Sequence, residues 1–283
     1  MEKIKDIFII IVTFNNQTNV KQCLESLQKV NRSGMNLKIL VIDNASKEFN
    51  PDQLAKQFPE ICLIKNAVNL GFGKANNIGL RLAYTNHSDY ALLLNPDTKV
   101  NIDPNFLTKL TQTLDQDKSI AIVGPCLKHQ VNGITFYDYG GQLELDLVKA
   151  RHINRETYIN DSTNVRDFVS GACMLLRVKV LPELGMFDEK YFLYLEDVDL
   201  AVKHRYFGYK IVNNCSSLVE HDGGRSSTDV TKIYYSWQSA MRMTDKWLNA
   251  KQKPISYVYN SLFYPYLLST WLLKRLKKRL VRL

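Results

Sequence analysis

Residues 8–14, Phe-Ile-Ile-Ile-Val-Thr-Phe, are an uninterrupted, largely β-branched run, the pattern of a short strand buried on both faces. Asn15 and Asn16 break it, and Val20, Cys23, Leu24 and Leu27 then recur at helical spacing. The alternation continues: residues 37–42 predict a second strand, 51–58 a helix, 61–64 a third strand, 71–86 a helix and 90–94 a fourth strand. Strands and helices alternating at this interval imply βαβ units, hence an α/β fold with a mostly parallel, Rossmann-like sheet flanked by helices.

Beyond residue 125 the rhythm changes. Residues 126–165 are rich in Gly, Asn and Asp, with alternating stretches that suggest hairpins over a mobile region. Residues 168–177 predict a strand with Gly171 inside it, often a mark of close backbone approach by a ligand. A helix is expected over 195–207, a last strand over 209–212 and a long helix over 229–249. No internal repeat or low-complexity linker divides the chain, so residues 1–228 are expected to form one unit, with 229–283 as a helical appendage.

Polar groups collect where the strands end. The run Ala91-Leu-Leu-Leu94 stops at Asn95-Pro96-Asp97. Pro96 has no N–H for the ladder and turns the chain out of the sheet. Asp97 is thereby presented at a strand's carboxyl end, where open α/β sheets place their ligands. Alone, it could simply cap a helix beginning near Asp103. Thr13-Phe-Asn-Asn16 and Asp43-Asn44 offer polar groups to the same edge, the geometry of a nucleotide crevice. Asp43 could accept from a ribose or a base N–H, or form an ordinary turn.

The segment from Asn69 through Gly71 and Lys74 to Asn77 is a glycine-rich turn leading into a helix. It brings backbone N–H groups and Lys74 within reach of phosphates, although it is neither G-x-G-x-x-G nor a P-loop; tight helix packing would explain it equally. Glu196, Asp197 and Asp199 open another helix, where acidic residues suit the dipole. Three carboxylates in four positions exceed what capping needs, and their repulsion would raise a pKa as a general base requires. His221 stands just before two glycines, and facing a carboxylate such as Asp97 it becomes a divalent-metal ligand.

Composition narrows the class. Hydrophobic content of 45% with 23% charged residues is that of a globular protein. Five dispersed cysteines, without a CxxC pair, argue against a disulfide framework or a zinc site and suit a reducing cytoplasm. Met1-Glu-Lys-Ile-Lys-Asp6 runs straight into a strand, so no leader is expected. Of the net charge of +9, six units come from Lys274, Arg275, Lys277, Lys278, Arg279 and Arg282, which leaves the remainder too nearly neutral for a nucleic-acid surface. The apolar, aromatic residues 255–273 precede that cluster. Pro265, Asn260 and four tyrosines favour an interfacial position over a spanning helix, on the cytoplasmic face of an anionic membrane. The other reading is a helix packed on the protein with a solvated basic end.

In their order, I-V-T-F-N, V-I-D-N-A-S, N-L-G-F-G-K-A-N-N, L-L-N-P-D-T, F-V-S-G-A-C-M-L, G-M-F-D-E-K-Y-F-L-Y-L-E-D-V-D-L and V-E-H-D-G-G resemble the motifs of family 2 glycosyltransferases, inverting enzymes with the GT-A fold. The likeness spans roughly residues 6–226 and is strongest to the rhamnosyltransferase-type branch. It implies that Thr13, Asn15 and Asp43 hold the base and ribose of a nucleotide-sugar. Asp97 is similar to the last residue of the D-x-D motif and would bind Mg²⁺ or Mn²⁺ on the diphosphate, with His221 completing the site. Asn95 replaces the first carboxylate of that motif, so the ion would bind only together with the nucleotide. Asp197 matches the second residue of the E-D motif, the catalytic base, with Glu196 beside it. Gly171 and Ala172 would line the cleft near the sugar and acceptor. The implied activity is metal-dependent, inverting transfer of rhamnose from dTDP-rhamnose to a hydroxyl of a lipid-linked saccharide in cell-surface polysaccharide synthesis. A UDP-hexose donor, or a non-catalytic nucleotide-sugar or glycan-binding module, are the alternatives.

Overall fold

A computed structural model describes residues 3–48, 50–131, 133–160, 163–223 and 229–280, with side chains of 229 and 276–280 not included. In chain order the elements are β1 (Lys5–Thr13), α1 (Gln17–Leu27), β2 (Met35–Asp43), α2 (Pro51–Gln57), β3 (Ile61–Lys65), α3 (Phe72–Thr85), β4 (Tyr90–Leu94), β5 (Thr98–Lys99) and α4 (Phe106–Gln116). There follow β6 (Ile120–Val131), β7 (Ile134–Glu144), β8 (Lys149–Arg155), β9 (Thr163–Arg166), β10 (Cys173–Arg177), α5 (Leu181–Leu184), α6 (Glu196–Tyr206), β11 (Lys210–His221), α7 (Asp229–Trp247) and α8 (Lys253–Leu280).

The apolar runs of β1 and β4 are continuous because both faces of these strands are covered. On β1, Ile7, Ile9 and Ile11 face α1 and α4 through Val20, Leu24, Leu27, Phe106 and Leu110. Phe8 and Ile10 face the opposite layer, with Leu80 and Ala83 of α3, Val198 and Leu200 of α6, and Ala240 and Met243 of α7. A strand with a period of two thus feeds two cores, and no polar position is left between them. Gly79 lets α3 settle onto β1, since a Cβ there would stand 2.6 Å from the Ile10 side chain.

The sheet runs β3-β2-β1-β4-β10-β6-β11-β5, with β7 branching from β6, β8 pairing β7, and β9 pairing β11. Its first four strands are parallel, as is the β6–β11 pair. β10 enters between these two blocks antiparallel to both β4 and β6, so the parallel character belongs to the blocks rather than to the whole sheet. The expected hairpins of 126–165 are the antiparallel pairs β6–β7 and β7–β8.

Two sequence expectations are corrected. The strand over 168–177 begins only at Cys173, because Ser170 and Gly171 form a turn, and Gly171 precedes the ladder instead of interrupting it. The last strand extends to His221 rather than stopping at 212. Its polar stretch, Asn213 to Ser217, hides the strand pattern because those side chains are buried yet satisfied. Asn213 donates to the Pro125 carbonyl at 2.7 Å, Asn214 to Thr113 Oγ1 at 2.8 Å and Ser217 to the Phe106 carbonyl at 3.2 Å.

α7 is held by a buried ionic cluster. Asp199, fully buried on α6, accepts from Lys246 Nζ and Trp247 Nε1, each at 2.7 Å, and from the Tyr191 hydroxyl at 3.2 Å. Three donors on one buried carboxylate are what such a charge requires. Among the described residues no helix is long and apolar enough to cross a membrane.

Candidate active site

The Asn95-Pro96-Asp97 turn is tied down at both ends. Asn95 N–H donates to the Ala172 carbonyl at 2.8 Å, and the Asn95 carbonyl accepts from Thr98 Oγ1 at 2.7 Å. β5 then pairs antiparallel with the end of β11, Thr98 opposite His221. That register sets His221 Nε2 3.3 Å from Asp97 Oδ1, with the two side chains only 12% and 11% exposed. α4 begins nine residues after Asp97, so Asp97 does not cap it. Burial acts to raise the Asp97 carboxyl, but the hydrogen bond and charge of His221 outweigh it and hold it below its ordinary value. His221 Nδ1 is buried without a partner. Gly223 stands against this ring, where a Cβ would approach to 3.1 Å. Gly224, Arg225 and Ser226, the end of the last motif, lie outside the described residues, as does Arg282 of the basic cluster.

Asp197 Oδ2 accepts from Gly171 N–H and its Oδ1 from Val198 N–H, both at 2.8 Å. Glu196 is 6% exposed, and its Oε2 has no partner. Burial raises both carboxyls, and the charge of Asp197 raises Glu196 further. The two N–H donors favour the charged form of Asp197 and work against the effect of its burial. Asp199, the third carboxylate of the motif, points instead into the α7 cluster. Tyr194 and Leu195, which lead into α6, are both left-handed, with φ of +68° and +62°. Each non-glycine residue there costs of order 1–3 kcal/mol, strain concentrated at the foot of the acidic helix.

The nucleotide-side residues divide into two groups. Thr13 is buried beside Asp43 in the β1–β2 register, and its hydroxyl has no partner. Asp43 accepts only long bonds, 3.3 Å, from Ser46 N–H. Asn15, at φ +50°, spends its carbonyl on Lys47 and Glu48 N–H, so it holds the loop after Asp43. Asn69 Oδ1 accepts from Gly71 N–H at 2.9 Å and Asn44 Nδ2 at 2.8 Å. Asn77 is buried and exchanges bonds with the Phe187 backbone at 2.9 and 3.0 Å. Phe72 N–H, the first of α3, already donates to the Phe192 carbonyl at 3.0 Å. Of this glycine-rich segment, Lys74 is left half-exposed, 3.8 Å from Glu189.

Two further residues near these groups were given no role of their own by the sequence, although Asn44 was named with Asp43 at the strand end. Asn44, buried, donates to Asn69 and the Gly71 carbonyl and accepts from Asn66 and Leu70 N–H, which fastens the glycine-rich turn to the end of β2. Its place directly after Asp43 was the available hint. His129 lies 5.1 Å from the His221 ring, centroid to centroid, and burial, then His221, push it down to about 4. It sits where β6 turns polar, without any periodic pattern.

A cavity of about 630 Å³ lies elsewhere, at the amino ends of β1 and β4, lined by Lys5, Asp89, Asp115 and Arg177 among others. Its acids already pair with Lys3 and Lys5, and it is remote from Asp97.

Comparison with known proteins places this geometry. The family model described as Glycosyl transferase family 2 matches residues 8–185. The chain is 23% identical over 241 residues to the N-acetylglucosaminyl-diphospho-decaprenol L-rhamnosyltransferase of Mycobacterium tuberculosis, covering 77% of this chain and 76% of that one. It is 27% identical over 219 residues to rhamnosyltransferase WbbL of Escherichia coli, covering 72% and 79%. The crystal structure of GalNAc-T7 with UDP, GalNAc and Mn²⁺ superposes with a TM-score of 0.67 at 15% identity, over 92% of this chain and 55% of that longer one.

Proposed function

Because the chain belongs to glycosyl transferase family 2 and is a glycosyltransferase, we propose that it moves rhamnose from dTDP-rhamnose to a hydroxyl of a lipid-linked saccharide, with inversion at the anomeric carbon. One observation carries this reading. The 171–172 segment bonds on one side to Asn95, at the head of the Asn-Pro-Asp turn, and on the other to Asp197. A group for the departing diphosphate and a base for the acceptor are thus stationed along one short wall. Both curated relatives are named as rhamnosyltransferases, and the mycobacterial one carries a lipid diphosphate in its name.

Asp97 and His221 would hold the divalent ion, Mg²⁺ or Mn²⁺. Their facing atoms, Asp97 Oδ1 and His221 Nε2, are 3.3 Å apart, near the ~3 Å between neighbouring ligands around such an ion. When bound, the ion neutralises charge on the leaving diphosphate. Among the described residues no three His, Cys, Asp or Glu side chains gather to hold a metal. Thr13 and Asp43 take the nucleoside, and Lys74 the phosphates. Asp197 removes the acceptor proton, while Glu196, keeping its own, spares the cleft a second negative charge.

The C-terminal segment fits a lipid-borne acceptor. α8 docks through Asn260, which donates to the Leu147 carbonyl at 3.0 Å, and through Ser256 against Thr244 at 2.7 Å. Its other face bares Ile255, Val258, Leu262, Tyr266 and Leu273, with Leu262 69% exposed. Such an inverted helix, followed by Lys274 and Arg275, is suited to lie on the anionic inner face of a cell membrane. We therefore take residues 1–228 as the catalytic unit and 229–283 as the appendage, in which α7 packs on that unit through Ala240 and Met243 and α8 faces the membrane. Vesicles rich in anionic lipid should sediment the protein, and Leu262→Glu with Val258→Glu should abolish this; unchanged sedimentation would refute the assignment.

The primary test presents dTDP-rhamnose, UDP-glucose and UDP-galactose to the protein with and without Mn²⁺, and reads binding and hydrolysis. Mn²⁺-dependent turnover confined to dTDP-rhamnose is expected. Preference for a UDP-sugar would reassign the donor, and no binding to any of them by folded protein would overturn the reading.

A further inference from the structure

The β7–β8 hairpin carries an acid–imidazole pair that the scheme above does not use. Asp138, buried on β7, accepts from Gly140 N–H at 2.9 Å through one oxygen. Its other oxygen stands 2.7 Å from His152 Nδ1 on β8. The register between the two strands shifts between Asp138 and Gly141, and Gly140 is left-handed at φ +79°, so the bulge aims the pair. His152 lies opposite Gly141 and meets the Phe168 ring edge-on, with centroids 5.1 Å apart. Gly141 in turn donates to the Phe168 carbonyl at 2.9 Å, and a Cβ there would fall 2.0 Å from that ring. Three residues beyond Phe168 comes Gly171, the donor to Asp197. The imidazole therefore belongs to the wall that carries Asp197.

The charges agree with the geometry. Partial burial works against protonation of His152, whose side chain is 42% exposed, but the hydrogen bond and charge of Asp138, then the charge of Asp197, place its pKa above the ordinary value. Burial raises Asp197, and the charge of His152 is among the influences that pull it back. The charged groups around this pair are Asp197 on α6 and His129 on β6, which interact electrostatically with His152, Arg166 on β9, whose side chain lies against Gly140, and Asp167, whose N–H donates to the Gly141 carbonyl at 3.0 Å.

We propose that Asp138 and His152 form a positioning pair for the transfer reaction, an anchored imidazolium whose positive charge keeps Asp197 ionised as proton acceptor beside the buried Glu196. The proposal rests on the reading of Asp197 as the base. His152 acts through Asp197 and need not touch substrate.

The test is a carbon-detected NMR titration of side-chain carboxyls in the free, full-length protein, paired with the pH profile of dTDP-rhamnose hydrolysis. In His152→Gln and Asp138→Asn the Asp197 midpoint should rise by about half to one pH unit, as expected for a charge lost across several ångströms of partly solvated space. The acid limb of the hydrolysis profile should move with it. His152→Lys should restore both. An Asp197 midpoint unmoved in folded His152→Gln and Asp138→Asn overturns the proposal, even if activity falls. Turnover surviving in Asp197→Asn would instead overturn the base assignment, a separate failure that the titration identifies as such.

Discussion

Two helices start along this cleft, and they spend their polar residues differently. At α3 several polar groups at the start are answered within the protein: Gly71 N–H by Asn69, Phe72 N–H by Phe192, Asn69 by Asn44, and Asn77 by Phe187, while Lys74 stays half-exposed. At α6 Glu196 Oε2 is buried with no partner, both carboxyls of the Glu196–Asp197 pair are raised, and two left-handed residues precede the helix. The first is tied to its neighbours by these bonds; the second holds a buried carboxylate oxygen without a partner. A motif rich in polar residues thus reveals its role through what its partners leave unsatisfied.

The sharpest way to break this contrast is Asp197→Asn. Loss of a general base should lower turnover by about 10²–10⁴-fold with donor binding kept, read by steady-state kinetics beside calorimetric donor binding; a variant that also loses donor affinity while folded would move Asp197 from base to binding group. Gly71→Ala should act on the scaffold instead. Its Cβ would lie 2.3 Å from the Phe192 carbonyl at φ +80°, and a loss of about 2–4 kcal/mol in denaturant unfolding is expected.

Asn77→Ala should cost about 1–3 kcal/mol through the orphaned Phe187 backbone groups, yet leave kcat within a few-fold in the protein that remains folded. A large fall in kcat at unchanged stability would place that amide in the cleft. The smallest effect is a slope. Glu196 has a raised pKa in the fold, so it is bound to its proton longer there than in the unfolded chain. Its contribution to stability is complete below the ordinary glutamate value of about 4.3 and declines as pH rises toward the folded value. Glu196→Gln should therefore gain stability relative to the parent as pH rises from about 5 to 8, by on the order of 1 kcal/mol, measured by urea unfolding across that range.

The N-terminal half was legible because local pattern and tertiary environment coincide there. β1 and β4 are apolar on both faces, so runs such as Phe8 to Val12 announce themselves without knowledge of their neighbours. The second half was less legible for the opposite reason. Asn213, Asn214 and Ser217 look like loop residues but are buried in a strand, each satisfied by a partner about 90–110 residues earlier in the chain. The left-handed pair Tyr194-Leu195 has no compositional mark, since glycine is absent where the backbone asks for it.

The amino-acid sequence alone determined the alternating α/β plan, the turn that expels Asp97 from the sheet, and the acidic start of α6, because each depends on neighbours a few residues apart. Tertiary structure decided which of those groups can act. Only the antiparallel β5–β11 register sets His221 against Asp97. Only the turn at Gly171 gives Asp197 its donor, and only the packing of α7 removes Asp199 from the acidic cluster. The reason is physical: partner, burial and charge arise from contacts between distant segments, and those contacts set a carboxylate's proton affinity.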